Sequence, residues 1–248
     1  MGDSKVRRIR LLLEYDGTGF SGWQVQPGMR TVQGEVQEAL ARMMEAPVKL
    51  IGSGRTDAGV HAIGQVAHAE VPKEIPAVNI AMGLNSSLSR DIRILDCGDV
   101  PPTFHAQRSA RGKLYRYAIL NSPTPTALDR FRVWHIRSPL DLVKMNSGAS
   151  FLRGEHDFTS FKSAGDETTT VRNLRRLDIE KDGDRISLMF EANGFLKHMV
   201  RNITGTLVQV GLGRMAPDKV KTVLENLSRD NAPPKAPPQG LTLMEVYY

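Results

Sequence analysis

A chain of 248 residues, 40% hydrophobic and 24% charged, can bury a sizeable core without disulfides or metal. Lysine and arginine outnumber the acids by 33 to 27, a balance that favours polyanionic partners through phosphate neutralisation. Cys97 is the single cysteine, which excludes an intrachain disulfide framework and a cysteine-rich zinc site. No stretch approaches the ~20 apolar residues of a membrane span. The segment Met1–Arg10 is polar and arginine-rich, without an apolar signal core. The expectation is a soluble cytoplasmic protein with no membrane partner.

Val6 to Tyr15 alternates Ile9, Leu11, Leu13 and Tyr15 against Arg8, Arg10 and Glu14, the pattern of a half-buried strand. Asp16-Gly17-Thr18-Gly19 is a turn. Thr31 caps a predicted helix with Val32, Val36, Leu40 and Met43/Met44 on its apolar face. Val48 to Ile51 and Ala62 to Val71 are predicted strands flanking a glycine-rich loop, Gly52 to His61. Pro76 to Leu88 is a predicted helix and Ile92 to Val100 a strand. Strand, helix, strand, strand, helix, strand is the order of a split βαβ unit.

The second half opens with a strand from Lys113 to Leu120. Ser138-Pro139-Leu140-Asp141 predicts a helix start with a serine cap and proline in first position. Leu142, Met145, Ala149 and Leu152 share its face, and Gly154 closes it. Leu174 to Glu180 and Arg185 to Ala192 form a hairpin through the turn 181–184. Helices follow over Phe195–Gly211 and Pro217–Leu227, then a proline-rich irregular stretch and a final strand, Leu241–Tyr247. This order roughly repeats the first half. The predicted fold is α+β. Two ferredoxin-like (split βαβ) halves, 1–106 and 107–248, share a largely antiparallel sheet with a central cleft.

The densest chemical signal is Arg55-Thr56-Asp57-Ala58-Gly59-Val60-His61. Flanking glycines permit unusual backbone angles and close approach of a ligand. Arg55, two residues before Asp57, is suited to holding that carboxylate ionised. An ionised carboxylate on a stiff turn can act as a nucleophile or stabilise a cationic transition state, and a polar β-turn would use the same residues. The histidines lack tight metal spacing, and Gly52-Ser53-Gly54 lacks the ending of a phosphate-binding loop. A carboxylate-dependent glycosidase would want a second acid nearby, and none accompanies Asp57 in its loop. Arginines at 7, 8 and 10, from 108 to 116, at 130 and 132, and from 172 to 176 form basic clusters suited to nucleic-acid backbone.

Gly54 to His61 resembles the signature loop of the pseudouridine synthases, in the form used by the tRNA pseudouridine synthase A family. Further stretches resemble that family in order and spacing. They are Glu14-Tyr15-Asp16-Gly17-Thr18 with Gly22-Trp23-Gln24, Phe104-His105-Ala106, Lys113-Leu114-Tyr115-Arg116-Tyr117, Asp157-Phe158-Thr159-Ser160-Phe161, and His198 to Ile203. The resemblance covers essentially the whole chain. One departure is Thr242, where the family typically has an aromatic.

The resemblance implies isomerisation of uridine to pseudouridine at positions 38, 39 and 40 of the tRNA anticodon stem-loop. It implies a homodimer that needs no cofactor and no metal. Asp57 is then the catalytic carboxylate. Tyr115 packs on the target base, with Tyr117 kept as packing on the same strand face. Arg201 pairs with the aspartate. Arg55 fills the space left by a flipped nucleotide, and His61 joins the substrate-binding residues.

Overall fold

Alternation along the first strand sets the first sheet. In β1 (Val6–Tyr15) the side chains of Ile9, Leu11, Leu13 and Tyr15 are buried while the arginines between them reach outward. The computed structural model describes residues 6–72, 75–164 and 169–248. They divide into two compact units. One comprises the described residues up to Ala110 with Leu243–Tyr248, the other Arg111–Thr242. Among the described residues no helix is long and apolar enough to cross a membrane.

In the first unit β1 lies between β3 (His61–Pro72) and β4 (Ile92–Val100), antiparallel to both. Helix α1 (Val32–Met44) starts at Thr31, whose hydroxyl accepts the Gly34 amide at 3.3 Å, and it buries Val32, Val36 and Leu40. Helix α2 (Ala77–Ser87) buries Ile80 and Leu84. The predicted strand 48–51 is displaced: β2 is only Ile51–Gly52, paired with His68 and Ala67. Side chains of α1 are the reason. Gln33 donates to the Leu50 carbonyl at 2.8 Å and Gln37 accepts the Leu50 amide at 3.2 Å, leaving no ladder bond for residue 50 to seek. Leu243–Tyr248, most of which belongs to β10 (Leu241–Tyr247), completes this unit beside β3. Gly64 permits that approach, because a Cβ there would stand 2.2 Å from the Met244 carbonyl oxygen.

In the second unit β5 (Gly112–Asn121), β9 (Arg185–Ala192), β8 (Val171–Asp182) and β7 (Gly154–Asp157) pair in that order, all antiparallel. Ile186, Leu188, Phe190 and Ala192 of β9 are all fully buried on one face. The hairpin turns at Gly183, whose φ of 55° falls in the left-handed region. A short β6 (Trp134–Ile136), not anticipated from the sequence, runs parallel to β5.

Helix α3 (Leu142–Ser150) begins later than Ser138 would have it. Asn121 accepts the Leu140 amide at 3.1 Å and donates to the Ser138 carbonyl at 2.8 Å, so residues 138–140 stay outside the helix. Asp141 is the cap instead, accepting the Lys144 amide at 3.0 Å. Gly154, expected to close this helix, opens β7 with φ 101°. Helix α4 (Met199–Gly211) starts four residues after Phe195, at a His198 held at φ 64°. It is buried along nearly all its length and packs with α3, and α5 (Lys219–Glu225) follows.

One buried titratable group ties a loop to the first sheet. His68 Nδ1 accepts the Ala106 amide at 3.1 Å, so its neutral ring carries the proton on Nε2. The Tyr248 hydroxyl donates to the Ala106 carbonyl at 2.7 Å, and Arg8 to the Phe104 carbonyl at 2.8 Å. Burial, then the positive neighbours His105 and Arg8, lower His68 from its ordinary 6.5 to about 4. The unfolded chain therefore takes up this proton first as pH falls, and the native state loses stability between those two values. Urea unfolding should show wild type losing about 2 kcal/mol more than His68→Asn between pH 7.5 and pH 5. Parallel losses in the two proteins would refute the assignment.

Candidate active site

The turn that carries Asp57 is seated by backbone contact. The Asp57 carbonyl accepts the Val60 amide at 3.1 Å, and Gly59 between them takes φ 77°. Upstream, the Thr56 carbonyl accepts the Trp23 amide at 3.0 Å. Two glycines of the preceding segment lie directly against this turn. A Cβ on Gly17 would stand 2.0 Å from the Val60 carbonyl oxygen, and one on Gly22 would stand 2.7 Å from the Thr56 carbonyl oxygen. Gly22 also sits at φ 92°. These positions require glycine for clearance, and Gly22 for backbone angle as well.

Asp57 itself is half-buried, while Arg55 is exposed and makes no ion pair among the described residues. His61 is buried at the start of β3, where its Nδ1 accepts the Gly17 amide at 3.1 Å. Asp16 Oδ1 lies 3.2 Å from the same nitrogen. An Nδ1 that accepts from a backbone amide has no proton for that carboxylate, so the hydrogen bond to Gly17 describes this ring and an ion pair does not. His61 braces the 16–19 turn, on which Gly17 in turn meets Val60.

Beneath the turn runs a set of buried polar groups that the sequence did not single out. The Tyr15 hydroxyl lies 2.8 Å from Thr56 Oγ1 and 3.4 Å from Gln65 Nε2, and Ser53 Oγ donates to Gln65 Oε1 at 2.7 Å. Tyr15 is an inward position of an alternating strand and Gln65 lies in a strand buried at consecutive positions, where a polar tip is indistinguishable from core packing by pattern alone.

The second unit carries the other expected residues. Tyr115, 7% exposed on β5, meets Phe195 edge-on with ring centroids 5.2 Å apart and planes at 88°. Phe195 went unremarked in the sequence because it was read as part of a helix. Tyr117, two residues along the same face, is fully buried and donates to the Pro237 carbonyl at 2.7 Å. Arg201 of α4 is 6% exposed, and its Nε donates to the Ala236 carbonyl at 2.8 Å. Lys113 shares the Tyr115 face, and burial followed by the Arg172 guanidinium lowers its ammonium to about 8.

Several arginines expected to meet nucleic-acid backbone are engaged with acids. Arg7 pairs with Asp99 at 2.6 Å, Arg8 with Glu70 at 2.5 Å, Arg10 with Asp96 at 3.0 Å and Arg176 with Asp178 at 2.6 Å. Cys97 is half-buried on β4, and burial pushes its thiol up to about 11, which leaves it mostly protonated and unreactive at neutral pH. No group of three or more His, Cys, Asp or Glu among the described residues could hold a metal ion.

A family model for tRNA pseudouridine synthase matches residues 12–107 and 149–248. The chain belongs to the tRNA pseudouridine synthase family. Asp57 and Arg201 fall within the stretches matched to this family, and Tyr115 falls between them. Among its relatives is tRNA pseudouridine synthase A of Geotalea uraniireducens, 45% identical over 244 residues, spanning 98% of this chain and 100% of that protein. The protein of that name from Ruminiclostridium cellulolyticum is 42% identical over 245 residues, with 98% and 100% covered. The one from Myxococcus xanthus is 44% identical over 243 residues, with 97% and 92% covered.

For a pseudouridine synthase whose turn is seated this closely, Gly17→Ala is a sharp probe. The added methyl has only backbone to push against, so the 57–60 turn must shift. A misplacement near 1 Å costs up to ~10²-fold in rate. Pseudouridine formation by Gly17→Ala should fall at least about tenfold. Wild-type turnover by a folded Gly17→Ala protein would show that the contact does not matter.

Proposed function

We propose that this chain converts uridine to pseudouridine at positions 38, 39 and 40 of the tRNA anticodon stem-loop, with Asp57 as the essential carboxylate. The observation that carries this reading is the mooring of Asp57. Its turn lies within the family match and is held by main-chain bonds on both sides, to Trp23 and to Val60. A carboxylate so fixed need not be reorganised when charge develops at the sugar.

The reaction breaks the N1–C1′ bond of uridine and forms a C5–C1′ bond. N1 gains a proton and the hydrogen on C5 leaves as a proton. Atoms and electrons balance without a redox partner or an energy source. Asp57 attacks C1′, attacks the base, or assists a glycal route by deprotonation. Each of these uses the same ionised carboxylate. Tyr115 packs against the base, and its hydroxyl is the candidate acceptor for the C5 proton. Arg201 orients the aspartate. Arg55, exposed on the turn, suits the space left by an extruded nucleotide, since an enzyme acting on a base must take it out of the stack. His61 acts from beneath, through the 16–19 turn. Recognition of the stem-loop rests on shape and backbone. The same resemblance supports a homodimer, a cytoplasmic setting and the absence of any cofactor.

The test is release of tritium from C5-labelled uridine in tRNA. Wild type is expected to release label, and only when uridine occupies position 38, 39 or 40. Asp57→Asn should release less than about one-thousandth as fast, the scale on which loss of a central catalytic group is felt. Full release by Asp57→Asn, or none by wild type with tRNA bound, would overturn the proposal.

A further inference from the structure

We infer that Gln65, Tyr15 and Thr56 form a buried hydrogen-bond relay whose task is to fix the main chain leading into Asp57. Tyr15 and Gln65 are thereby positioning residues for the isomerisation. The inference rests on the reading of Asp57 just given.

The direction of the relay follows from backbone groups. The Val66 amide can only donate, and it reaches Gln65 Oε1 at 3.1 Å. The Gly54 carbonyl can only accept, and it lies 3.1 Å from Gln65 Nε2. These two contacts fix which end of the Gln65 amide is which. Nε2 therefore donates to the Tyr15 oxygen at 3.4 Å, and the Tyr15 O–H is left to donate to Thr56 Oγ1 at 2.8 Å. With Ser53 Oγ donating to Oε1 at 2.7 Å, the Gln65 amide makes four bonds, two as acceptor and two as donor. Burial pushes the Tyr15 hydroxyl up to about 12, so it remains a donor at any working pH.

The bonds land on Ser53, Gly54 and Thr56, in the stretch that leads into Asp57. Their origins are central strands: Tyr15 on β1 and Gln65 on β3, where Gln65 pairs with Leu13. Gln65 is 0% and Tyr15 2% exposed, so neither can touch RNA. A phenylalanine at 15 and a leucine at 65 would suit these buried positions without requiring any buried polar partner. Each buried polar group left unpaired costs about 1–3 kcal/mol, so a complete network concentrated on one turn demands precise placement there. A network serving stability alone has no reason to end beside the nucleophile.

The two roles separate kinetically. Thr56→Val keeps shape and loses the hydroxyl, Thr56→Ser keeps the hydroxyl, and Tyr15→Phe removes the relay's middle. Tritium release should give a kcat about tenfold to a hundredfold lower for Thr56→Val and Tyr15→Phe, with KM for tRNA within about twofold of wild type. Thr56→Ser should restore kcat to within about threefold. Val71→Ala, at a buried β3 position outside the relay, should lower the melting temperature and leave kcat unchanged. The inference is overturned if Thr56→Val and Tyr15→Phe turn over at the wild-type rate, or if Thr56→Ser is as slow as Thr56→Val. It is also overturned if Val71→Ala loses kcat in proportion to its melting temperature as they do. Asp57→Asn run alongside separates the two failures. A fully active Asp57→Asn defeats both readings, whereas an inactive one beside an unimpaired Tyr15→Phe defeats only this one.

Discussion

The constraint on which the first unit depends is the close approach of two stretches of backbone. Residues 17–22 lie against residues 56–60 with no room for a Cβ at either Gly17 or Gly22. Side chains normally set such spacing and tolerate error by changing rotamer. Here main chain meets main chain, so the separation is set by van der Waals radii and by the Trp23–Thr56 and Asp57–Val60 hydrogen bonds. The surrounding design follows from this. Gly22 and Gly59 adopt angles that L side chains rarely take. His61 holds the Gly17 amide from below, and Tyr15 and Thr56 meet within hydrogen-bond distance. The turn that carries Asp57 is thereby held largely by main-chain contacts.

The chain has a formal net charge of +6, yet Arg7, Arg8 and Arg10 of β1 are each matched to an acid. These exposed pairs are worth little to stability, typically ~0–1 kcal/mol, and are screened further by salt. Their effect is to confine the surplus to residues outside the pairs. Arg55 on the Asp57 turn is one. Counting arginines in sequence overstates the surface available for phosphate, because antiparallel neighbours bring acids opposite basic positions that are remote in the chain. Asp96 and Asp99 on β4 do this for Arg10 and Arg7.

Strong periodic patterns were the legible part of the fold. β1, β4 and β10 have the bounds expected from the sequence, and Thr31 caps α1 as its sequence implied. The differences arise where one distant side chain overrides a local signal. Ser138-Pro139 is a competent helix start, but Asn121 claims its backbone and Asp141 takes over the cap. Phe195 to His198 reads as helix, yet the chain turns through a left-handed His198 and leaves Phe195 to meet Tyr115. β6 and β7 have three and four residues, too few for any period to register. At the site, the glycine turn was legible because glycine marks unusual backbone. Gln65 was not, because its amide matters only through partners on two other segments, β1 and the 53–54 loop, and through the Val66 amide beside it.

The second unit reaches rigidity by a related route with different materials. Arg201 lies in a helix that is buried nearly throughout, where an arginine is costly unless its donors are satisfied. Part of that satisfaction is main chain. Arg201 Nε donates to the Ala236 carbonyl at 2.8 Å, and the Ala236 amide returns a bond to the Arg201 carbonyl at 2.9 Å. Gly205, one turn on, admits the segment, since a Cβ there would stand 2.1 Å from the Pro234 carbonyl oxygen. Tyr117 adds its hydroxyl to the Pro237 carbonyl. The stretch 233–238 holds four prolines, each with a fixed φ and no amide hydrogen. An irregular segment of this composition loses little entropy when it docks, and its carbonyls are free to accept. The proline-rich stretch, irregular in sequence, thus supplies main-chain acceptors to Arg201 and Tyr117. The segment can therefore orient Arg201 at its Nε through a main-chain acceptor.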